Sequence, residues 1–356
     1  EALSGIERKH FAFAIKANPN LSVLRVLAKC GFGADVVSGG EIARALASGI
    51  APADVVFSGV GKTREELQRA LDDGIGQFNI ELEEEGAALS ELAVASGKRA
   101  VAVLRVNPDV DAKTHAKIST GRKENKFGVP IDQAAGIYAR LASLPGLDMR
   151  GVALHIGSQV FDLGPLEAGY ARIGTFVAEL RAAGFAIDRV DLGGGLGVPY
   201  QRDQVPPEPA EYGRMVERVT KGWDVTLMFE PGRVIVGNAG VLLTKVIWMK
   251  PGVINPYVIV DAAMNDLARP ALYDAWHDFE AVAPTGERMI ANIAGPVCES
   301  TDTFAMGRDI DAVKSGDLAV FRTAGAYGAT MASTYNSRAL VPEVMVDRDK
   351  YAVVAD

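Results

Sequence analysis

The sequence is poor in cysteine and histidine, and this scarcity argues against two classes of protein. Its 356 residues include only two cysteines, Cys30 and Cys298, and four histidines. Two cysteines so far apart cannot form a disulfide framework or a zinc site of the usual spacing, and they fit a reducing, cytoplasmic compartment. The histidines show neither H-x-x-H nor H-x-x-x-H spacing, so we expect no metal.

The sequence also lacks a basic excess and a long apolar run. The formal net charge is -8, and no cluster of basic and aromatic residues stands out. Nucleic acid is therefore not an expected partner. No apolar run approaches the roughly 18 residues that a membrane-spanning helix needs, so we expect no membrane partner either.

Short apolar runs alternate with longer amphipathic stretches over the first two thirds of the chain. One such stretch, "TREELQRALDDG", has Thr63 and Glu66 spaced as a capping box. Strand–helix repetition implies right-handed crossovers and a parallel sheet, and eight runs predict a closed (β/α)8 barrel over residues 11–237. The eight runs are 11–15, 34–37, 54–57, 76–80, 100–106, 150–156, 187–192 and 225–229.

After Gly237 the sequence changes to short β-rich segments separated by turn residues, such as "PYVIVDA" and "DLAVFRTAGAYG". This pattern is typical of an all-β domain, a β-barrel or sandwich, which we predict over 238–356. The fold class is therefore α/β plus β.

Polar residues follow the predicted strands, where a (β/α)8 barrel places its chemistry. A single strand-end lysine is normally a solvated loop residue. Agreement at six strand ends instead predicts a site. The residues concerned are Lys16, Asp35, Ser38, Asn107, His155, Ser158, Gln159, Gly193, Gly194, Gly195, Glu230 and Arg233.

The segment "DLGGGLGVP" has three consecutive glycines, Gly193 to Gly195, whose backbone N–H groups suit a phosphate. It is not a dinucleotide motif, because the last required glycine is replaced by Val198. A tight turn without a ligand is the alternative. The "GVGKT" segment is not a P-loop, because Val56 stands where the motif needs glycine.

A lysine, a phosphate-binding turn and a carboxylate at the end of one barrel together indicate pyridoxal 5′-phosphate. Lys16 would form the imine, and burial would lower its pKa and free the amine. Glu230 would keep the pyridine nitrogen protonated, so that the ring accepts electrons.

The motifs of nearly the whole chain resemble those of the diaminopimelate decarboxylases, fold-type III pyridoxal phosphate enzymes related to alanine racemase and the eukaryotic ornithine decarboxylases. The most particular motifs are "THAKISTG", "HIGSQ" and "GPVCESTD". The more general ones are "AIKANPN", "ADVVSGGE", "DLGGGLG", "EPGR", "ARPALY" and "GAYG". In the family, a segment preceding the first strand joins the β domain, and we expect residues 1–10 and a further upstream segment to do so here.

The resemblance implies a role for each matching residue. Lys16 carries the cofactor, His155 stacks on its ring with Ser158 nearby, and Glu230 contacts the pyridine nitrogen. Cys298 donates a proton, reaching the site of a second subunit, which implies a homodimer with shared active sites. The phosphate is held by Gly193, Gly194, Gly195, Gly232, Arg233 and Tyr327, and the substrate by Arg233, Arg269, Tyr273, Glu299 and Tyr327.

The substrate that the family implies carries an amino-carboxylate at each end. Arg269 and Arg233 offer forked donors for a carboxylate, and Glu299 can accept from the distal ammonium. The expected reaction is the decarboxylation of meso-2,6-diaminopimelate to L-lysine, the last step of lysine biosynthesis.

Several alternatives remain open from the sequence. A decarboxylase of ornithine, arginine or lysine, an amino-acid racemase and a non-catalytic cofactor carrier share this type of barrel. Cys298 alone could be a small buried residue, His155 a core histidine and Arg269 a surface residue. We expect Cys30 to pack inside a helix, and the acidic run 81–85 to be a solvated helix start.

Overall fold

The computed structural model describes residues 2–111 and 126–355, so the predicted motif "THAKISTG" lies outside the described residues. The chain forms two compact units. The first comprises residues 1–197 and 206–232, and the second comprises residues 198–205 and 233–356. The division predicted after residue 237 stays a prediction.

The first unit contains a closed parallel barrel. Strand β1 pairs with both β2 and β9, and β4 pairs with β5, so the sheet returns to its start. Each predicted run overlaps one of the eight barrel strands, and the barrel prediction is confirmed. The eight barrel strands are β1 (Lys9–Ala14), β2 (Gly33–Val36), β3 (Val55–Phe57), β4 (Gln77–Ile80), β5 (Ala100–Asn107), β7 (Leu147–Ala153), β8 (Arg189–Asp191) and β9 (Thr226–Phe229). A ninth, short strand, β6 (Val129–Pro130), pairs with β5 outside the ring.

Helices follow most of the strands, and local capping explains several of their ends. Thr63 and Glu66 form the predicted capping box, and Gly74 ends that helix with φ 73°. Ser38 caps the second helix. The helices of this unit are α1 (Leu21–Lys29), α2 (Gly39–Ala47), α3 (Arg64–Asp73), α4 (Glu83–Ala95), α5 (Ile131–Ala142), α6 (Leu163–Ala182) and α7 (Pro209–Val219).

The barrel interior combines small apolar residues with polar ones. Ala12, Val56 and Met228 form one buried cluster. Along β4 all four residues are buried, and the alternation of a strand places Gln77 and Asn79 on one face. Charge and amide groups therefore line part of a core that apolar side chains usually fill.

One expectation was wrong and another held in part. The acidic run 81–85 does begin a helix, since α4 starts at Glu83 and Glu84 is exposed, but Glu81 and Glu85 are buried, with 3% and 9% of their surface exposed. Arg105 pairs with Glu81 and Lys62 pairs with Glu85, each at 2.7 Å, which makes the burial of these two acids tolerable. Cys30 is exposed, because it is the residue that caps the C-terminus of α1 rather than part of its packed face.

The second unit contains a six-stranded sheet and a separate two-stranded hairpin. The sheet order is β12-β15-β10-β11-β13-β14, and only β11 and β13 pair in parallel. Its elements are α8 (Arg233–Val236), β10 (Leu242–Lys250), β11 (Tyr257–Val260), α9 (Arg269–Tyr273), β12 (Phe279–Ala281), β13 (Arg288–Ala294), β14 (Thr303–Asp311), β15 (Leu318–Phe321), β16 (Glu343–Asp347) and β17 (Lys350–Ala355).

An aromatic cluster forms the centre of the second unit's core. The ring centroids of Phe304 and Phe321 lie 4.4 Å apart, and those of Phe279 and Phe321 lie 5.2 Å apart. Valine and isoleucine side chains from β10, β11 and β13 pack around them.

Within residues 2–111 and 126–355, no helix is both long and apolar enough to cross a membrane.

Candidate active site

Lys16 lies in a short 3-10 turn, Ile15–Ala17, directly after β1. The parallel register pairs Ala14 with Asp35, so the two side chains meet at the end of neighbouring strands. The Lys16 Nζ lies 2.5 Å from the Asp35 Oδ2. Asp35 is fully buried, and its Oδ1 accepts no hydrogen bond among the described residues. A buried carboxylate thus holds the ammonium group at the barrel end.

Glu230 follows β9, the strand that pairs with β1 on its other side. Burial raises the pKa of Glu230 well above its usual range, and the carboxylates of Asp191 and Asp35 add to this rise while Lys16 opposes it. Burial raises the pKa of the neighbouring Asp191 as well. Both shifts favour a proton on this pair of acids over the fully ionised form.

The three glycines after β8 adopt a turn that a side chain would obstruct. Gly193 and Gly195 have φ of 66° and 129°. A Cβ on Gly194 would lie 2.2 Å from the backbone oxygen of Glu230. The N–H groups of Gly193 and Gly194 already donate to Asp191 Oδ1 and His155 Nδ1. The turn carries no side chains, but two of its three N–H groups already have acceptors within the chain, and its binding of a phosphate stays a prediction.

His155 follows β7 and stays neutral. Burial, with the nearby charges of Arg105 and Lys16, lowers its pKa to about 3. Its Nδ1 accepts from the Gly194 N–H, so the ring hydrogen is on Nε2. Ser158 lies three residues further along the same loop.

Gly232 precedes the second unit and packs against the turn that carries Lys16. A Cβ at this position would lie 3.1 Å from the Ala14 Cβ and 3.2 Å from the Ala17 Cβ. The glycine therefore lets the chain pass closely beside the lysine turn.

In the second unit, two buried arginines surround Tyr200. The Arg233 Nη1 donates to the Tyr200 hydroxyl at 2.6 Å, and the guanidinium of Arg269 lies 4.2 Å from the Tyr200 ring centroid. The Arg233 guanidinium also lies 4.7 Å from the ring centroid of Tyr327. Aromatic rings thus fix the positions of both guanidinium groups.

Arg269 has a fixed neighbour in His277, which is 1% exposed. The Arg269 Nη1 lies 2.8 Å from the His277 Nε2, and the His277 Nδ1 lies 2.8 Å from the backbone oxygen of Arg322. Since a carbonyl only accepts, Nδ1 carries the hydrogen and Nε2 accepts from Arg269. Burial lowers the pKa of Arg269. Tyr273, at the end of the same helix α9, lies close enough to counteract part of this change.

Cys298 and Glu299 lie on the exposed loop between β13 and β14. The Glu299 carboxylate accepts hydrogen bonds from the hydroxyls of Tyr335 and Thr301. The hydrogen bond from Tyr335, and to a smaller extent the one from Thr301, lowers the pKa of Glu299. The exposure of Cys298 on this chain speaks against the alternative of a small buried residue.

Two of the residues predicted at strand ends, Ser38 and Asn107, make local hydrogen bonds to the backbone. Ser38 caps α2 by accepting from the Glu41 N–H, and Asn107 accepts from the Asp109 N–H in a local turn. Among the residues that the structure describes, no group of three or more histidine, cysteine, aspartate or glutamate side chains is arranged to hold a metal ion.

Sequence reasoning missed the polar residues inside the barrel. Asn79 and Asp191 are 2% and 1% exposed and lie within hydrogen-bond distance of each other. A signal for them exists, because β4 and β8 carry polar residues two positions apart, as Gln77 with Asn79 and Arg189 with Asp191. That period is the one that places both side chains on the inner face of a strand.

Comparison with known proteins gives concordant results. Residues 1–237 match the family described as "Pyridoxal-dependent decarboxylase, pyridoxal binding domain". The diaminopimelate decarboxylase of Zymomonas mobilis is 56% identical over 96% of this chain and 82% of its own. That of Pseudomonas aeruginosa is 50% identical over 98% and 84%. The crystal structure of the Helicobacter pylori diaminopimelate decarboxylase, complexed with L-lysine, is 40% identical with a TM-score of 0.96, covering 99% of this chain and 88% of that one.

Proposed function

This chain belongs to the diaminopimelate decarboxylases of the pyridoxal-dependent decarboxylase family, and on that premise we propose that it converts meso-2,6-diaminopimelate to L-lysine and carbon dioxide. The observation that carries the proposal is the placement of Lys16 and Glu230 after the paired strands β1 and β9. A reactive amine and a buried acid then lie at the same end of one barrel, as a cofactor of this kind requires.

The residues present fit pyridoxal 5′-phosphate. Lys16 supplies the amine, Glu230 an acid able to hold a proton for the pyridine nitrogen, and the turn 193–195 a surface without side chains. When bound, the cofactor supplies an electron-accepting ring that stabilises the carbanion left by loss of carbon dioxide. The unused oxygen of Asp35 gives this end of the barrel one further acceptor.

Lys16 and Asp35 act together before substrate arrives. The ion pair at 2.5 Å fixes the position of the Nζ, and the neighbouring carboxylate can accept a proton when the amine is needed in its neutral form. His155 lies near enough to Lys16 for that charge to lower the pKa of its imidazole. We propose that its neutral ring stacks on the cofactor, with Ser158 contributing a hydroxyl.

Phosphate recognition falls to backbone groups and one cation. We propose that Gly193, Gly194 and Gly195 bind the phosphate, aided by Gly232, Arg233 and Tyr327. Support comes from the small distances that exclude a Cβ in the turn and from the guanidinium stacked on Tyr327.

The distal amino-carboxylate of the substrate needs both an anion-binding and a cation-binding group. We propose that Arg269 and Arg233 bind the carboxylate with Tyr273 and Tyr327 beside them, and that Glu299 accepts from the ammonium. The lowered pKa of Glu299 keeps it ionised at neutral pH, which supports this role. Replacing Arg269 with alanine should impair diaminopimelate turnover far more than turnover of ornithine or lysine.

We propose that Cys298 donates a proton to the carbon that loses carbon dioxide, from the second subunit of a homodimer. Its exposure on the isolated chain supports a role at the site of another subunit. Mixing inactive Lys16→Ala with the strongly impaired Cys298→Ala tests this, because hybrid dimers regain one intact site. Random exchange should restore about a quarter of the normal activity. No restoration after verified subunit exchange contradicts shared sites.

The reaction itself is tested with each stereoisomer of diaminopimelate. We expect carbon dioxide and L-lysine in equal amounts from the meso isomer. Racemised substrate without gas would identify a racemase, and preferred release of carbon dioxide from ornithine or arginine would identify another decarboxylase.

Two free cysteines, Cys30 and Cys298, also support a cytoplasmic location.

The cofactor linkage is tested by borohydride reduction and peptide mapping. We expect the pyridoxyl group on Lys16, and its loss in Lys16→Ala. Lys29, exposed at the end of α1, provides the matched control, since Lys29→Ala should keep the adduct. An adduct on any other lysine contradicts the proposed site.

A further inference from the structure

A row of side-chain hydrogen bonds runs through the barrel interior from the start of β8 to the carboxyl ends of the strands. The Arg189 Nη1 donates to the Gln77 Oε1 at 3.1 Å, and the Gln77 Nε2 donates to the Asn79 Oδ1 at 2.7 Å. The Asn79 Nδ2 then donates to the Asp191 Oδ2 at 3.2 Å and to the Glu230 Oε1 at 3.3 Å. We call these three residues, Arg189, Gln77 and Asn79, the amide row.

The direction of every bond in the amide row follows from its first member. A guanidinium can only donate, so Gln77 must turn its oxygen toward Arg189 and its NH2 toward Asn79. Asn79 must then accept through its oxygen and turn its own NH2 toward Asp191 and Glu230. Without a donor at position 189, both amides could rotate by half a turn, and the Asn79 oxygen would face the two acids.

We propose that the amide row positions Glu230 by holding an NH2 group between the Asp191 and Glu230 carboxyls. The proposal rests on the assigned contact of Glu230 with the cofactor. Without cofactor, the raised pKa values of both acids favour a proton on the pair. Once Glu230 acts as a carboxylate toward a protonated ring nitrogen, that proton is lost, and the Asn79 NH2 group, within reach of both carboxyls, remains to reduce the repulsion.

The surroundings of the acid pair agree with this role. The Ser58 hydroxyl accepts from the Asn79 Nδ2 at 3.0 Å and can donate to the Glu230 Oε1 at 3.4 Å, which continues the same direction. The Gly193 N–H donates to the Asp191 Oδ1, which favours the ionised form of Asp191. The carboxylates of Asp191 and Asp35 add to the burial that raises the pKa of Glu230, which favours the protonated form of Glu230.

The far end of the amide row can be changed without touching the site. Arg189 and Gln77 line a cavity of about 220 Å³ at the amino ends of the strands, together with His10 and Asp54. Arg189 is 27% exposed and lies 3.6 Å from Asp188. Arg150 pairs with the same Asp188 but has no contact with Gln77 in the described hydrogen bonds, so Arg150→Met is a matched control.

The test measures the protonated carboxyl of the acid pair by infrared spectroscopy of the cofactor-free protein, assigned by its loss in Glu230→Gln. In Gln77→Met and Arg189→Met, the Asn79 oxygen can accept from the protonated acid. We expect the midpoint of its deprotonation to rise by about one pH unit, and cofactor affinity to fall about tenfold. Arg189→Lys, which keeps a group that only donates, and Arg150→Met should both match the unmodified protein.

Unchanged midpoints in both Gln77→Met and Arg189→Met would overturn the proposal. A rise in Arg189→Lys equal to that in Arg189→Met would also overturn it, because the direction of the row would then not matter. The infrared result needs neither cofactor nor turnover. A protein that shows the expected shifts but releases no carbon dioxide from diaminopimelate would refute the proposed function and leave the amide row standing.

Discussion

Lys62 offers a sharp test of how charge stabilises the barrel. It lies in the "GVGKT" loop after β3, and its side chain is fully buried. The Nζ donates to the Gly59 oxygen at 2.6 Å, the Asn79 backbone oxygen at 2.8 Å and the Glu85 Oε1 at 2.7 Å. All three ammonium hydrogens are used, so the lysine joins the ends of β3 and β4 to the start of α4.

Replacing Lys62 with methionine keeps the length of the side chain and removes the charge. Glu85, whose side chain is 6% exposed, then has no cation, and burial already raises its pKa with Lys62 in place. Removing one member of a buried ion pair typically costs about 3–5 kcal/mol. Since two backbone oxygens also lose their donor, we expect Lys62→Met to lose about 4 kcal/mol of unfolding free energy.

Denaturant unfolding at neutral pH, followed for Lys62→Met, Glu85→Gln and the double variant, measures the loss. The double variant should regain about 2 kcal/mol over Lys62→Met, because Glu85→Gln removes the unpaired charge. The destabilisation should shrink as the pH falls, since a protonated Glu85 needs no cation. Lys98→Met, which removes a partly exposed lysine beside Asp72, should cost about 1 kcal/mol or less. A loss below about 1 kcal/mol in Lys62→Met, or no recovery in the double variant, refutes the reasoning.

Four further predictions concern the site and His277. Gly194→Ala should weaken cofactor binding by more than about tenfold in an absorbance titration, because its Cβ would lie 2.2 Å from the Glu230 backbone oxygen. His277→Phe should raise KM for diaminopimelate by about tenfold with less effect on kcat, because Arg269 loses the acceptor that orients it, and His277→Gln should recover much of the loss. Burial lowers the pKa of His277 from 6.5 to about 3, so the unfolded chain protonates this imidazole at a higher pH than the folded chain does. The free energy of unfolding should therefore fall as the pH drops from 6.5 toward 3, and it should fall less steeply in His277→Gln. Cys298→Ala should keep the cofactor spectrum and lose most turnover.

Each of these predictions has a result that contradicts it. Normal cofactor affinity in Gly194→Ala would show that the turn can open at no cost. Equal KM values in His277→Phe and in the unmodified protein would remove the orienting role of His277. If the free energy of unfolding depended on pH in the same way in His277→Gln and in the unmodified protein, other groups would be responsible for the pH dependence. Full turnover by Cys298→Ala would exclude the thiol as the proton donor.

The barrel could be predicted from the sequence because two independent signals agree along it. The buried strands read as continuous apolar runs, and helix signals such as the Thr63–Glu66 capping box lie between them. The acidic run 81–85 could not be interpreted in this way. The cations that make burial of Glu81 and Glu85 tolerable, Arg105 and Lys62, lie about 20 residues away in sequence and meet them only in the folded barrel.

The site was predictable where chemistry follows a strand and unpredictable where it lies inside one. Lys16 and Glu230 stand immediately after apolar runs, so their position alone was informative. Asn79 and Asp191 sit within buried strands, and only the pairing of β4, β8 and their neighbours brings them together. His277 gave no signal at all, because its contact with Arg269 depends on how a loop folds over eight residues.

The pairing of β1 with β9 has a consequence for synthesis on the ribosome. Lys9, His10 and Phe11 pair in register with Leu227, Met228 and Phe229, so the ring of strands cannot close until the chain has grown almost to the end of the first unit. Until then β1 and the latest strand each expose an unpaired edge, which invites association between nascent chains. A chaperone that shields these edges would serve this protein during translation rather than after release.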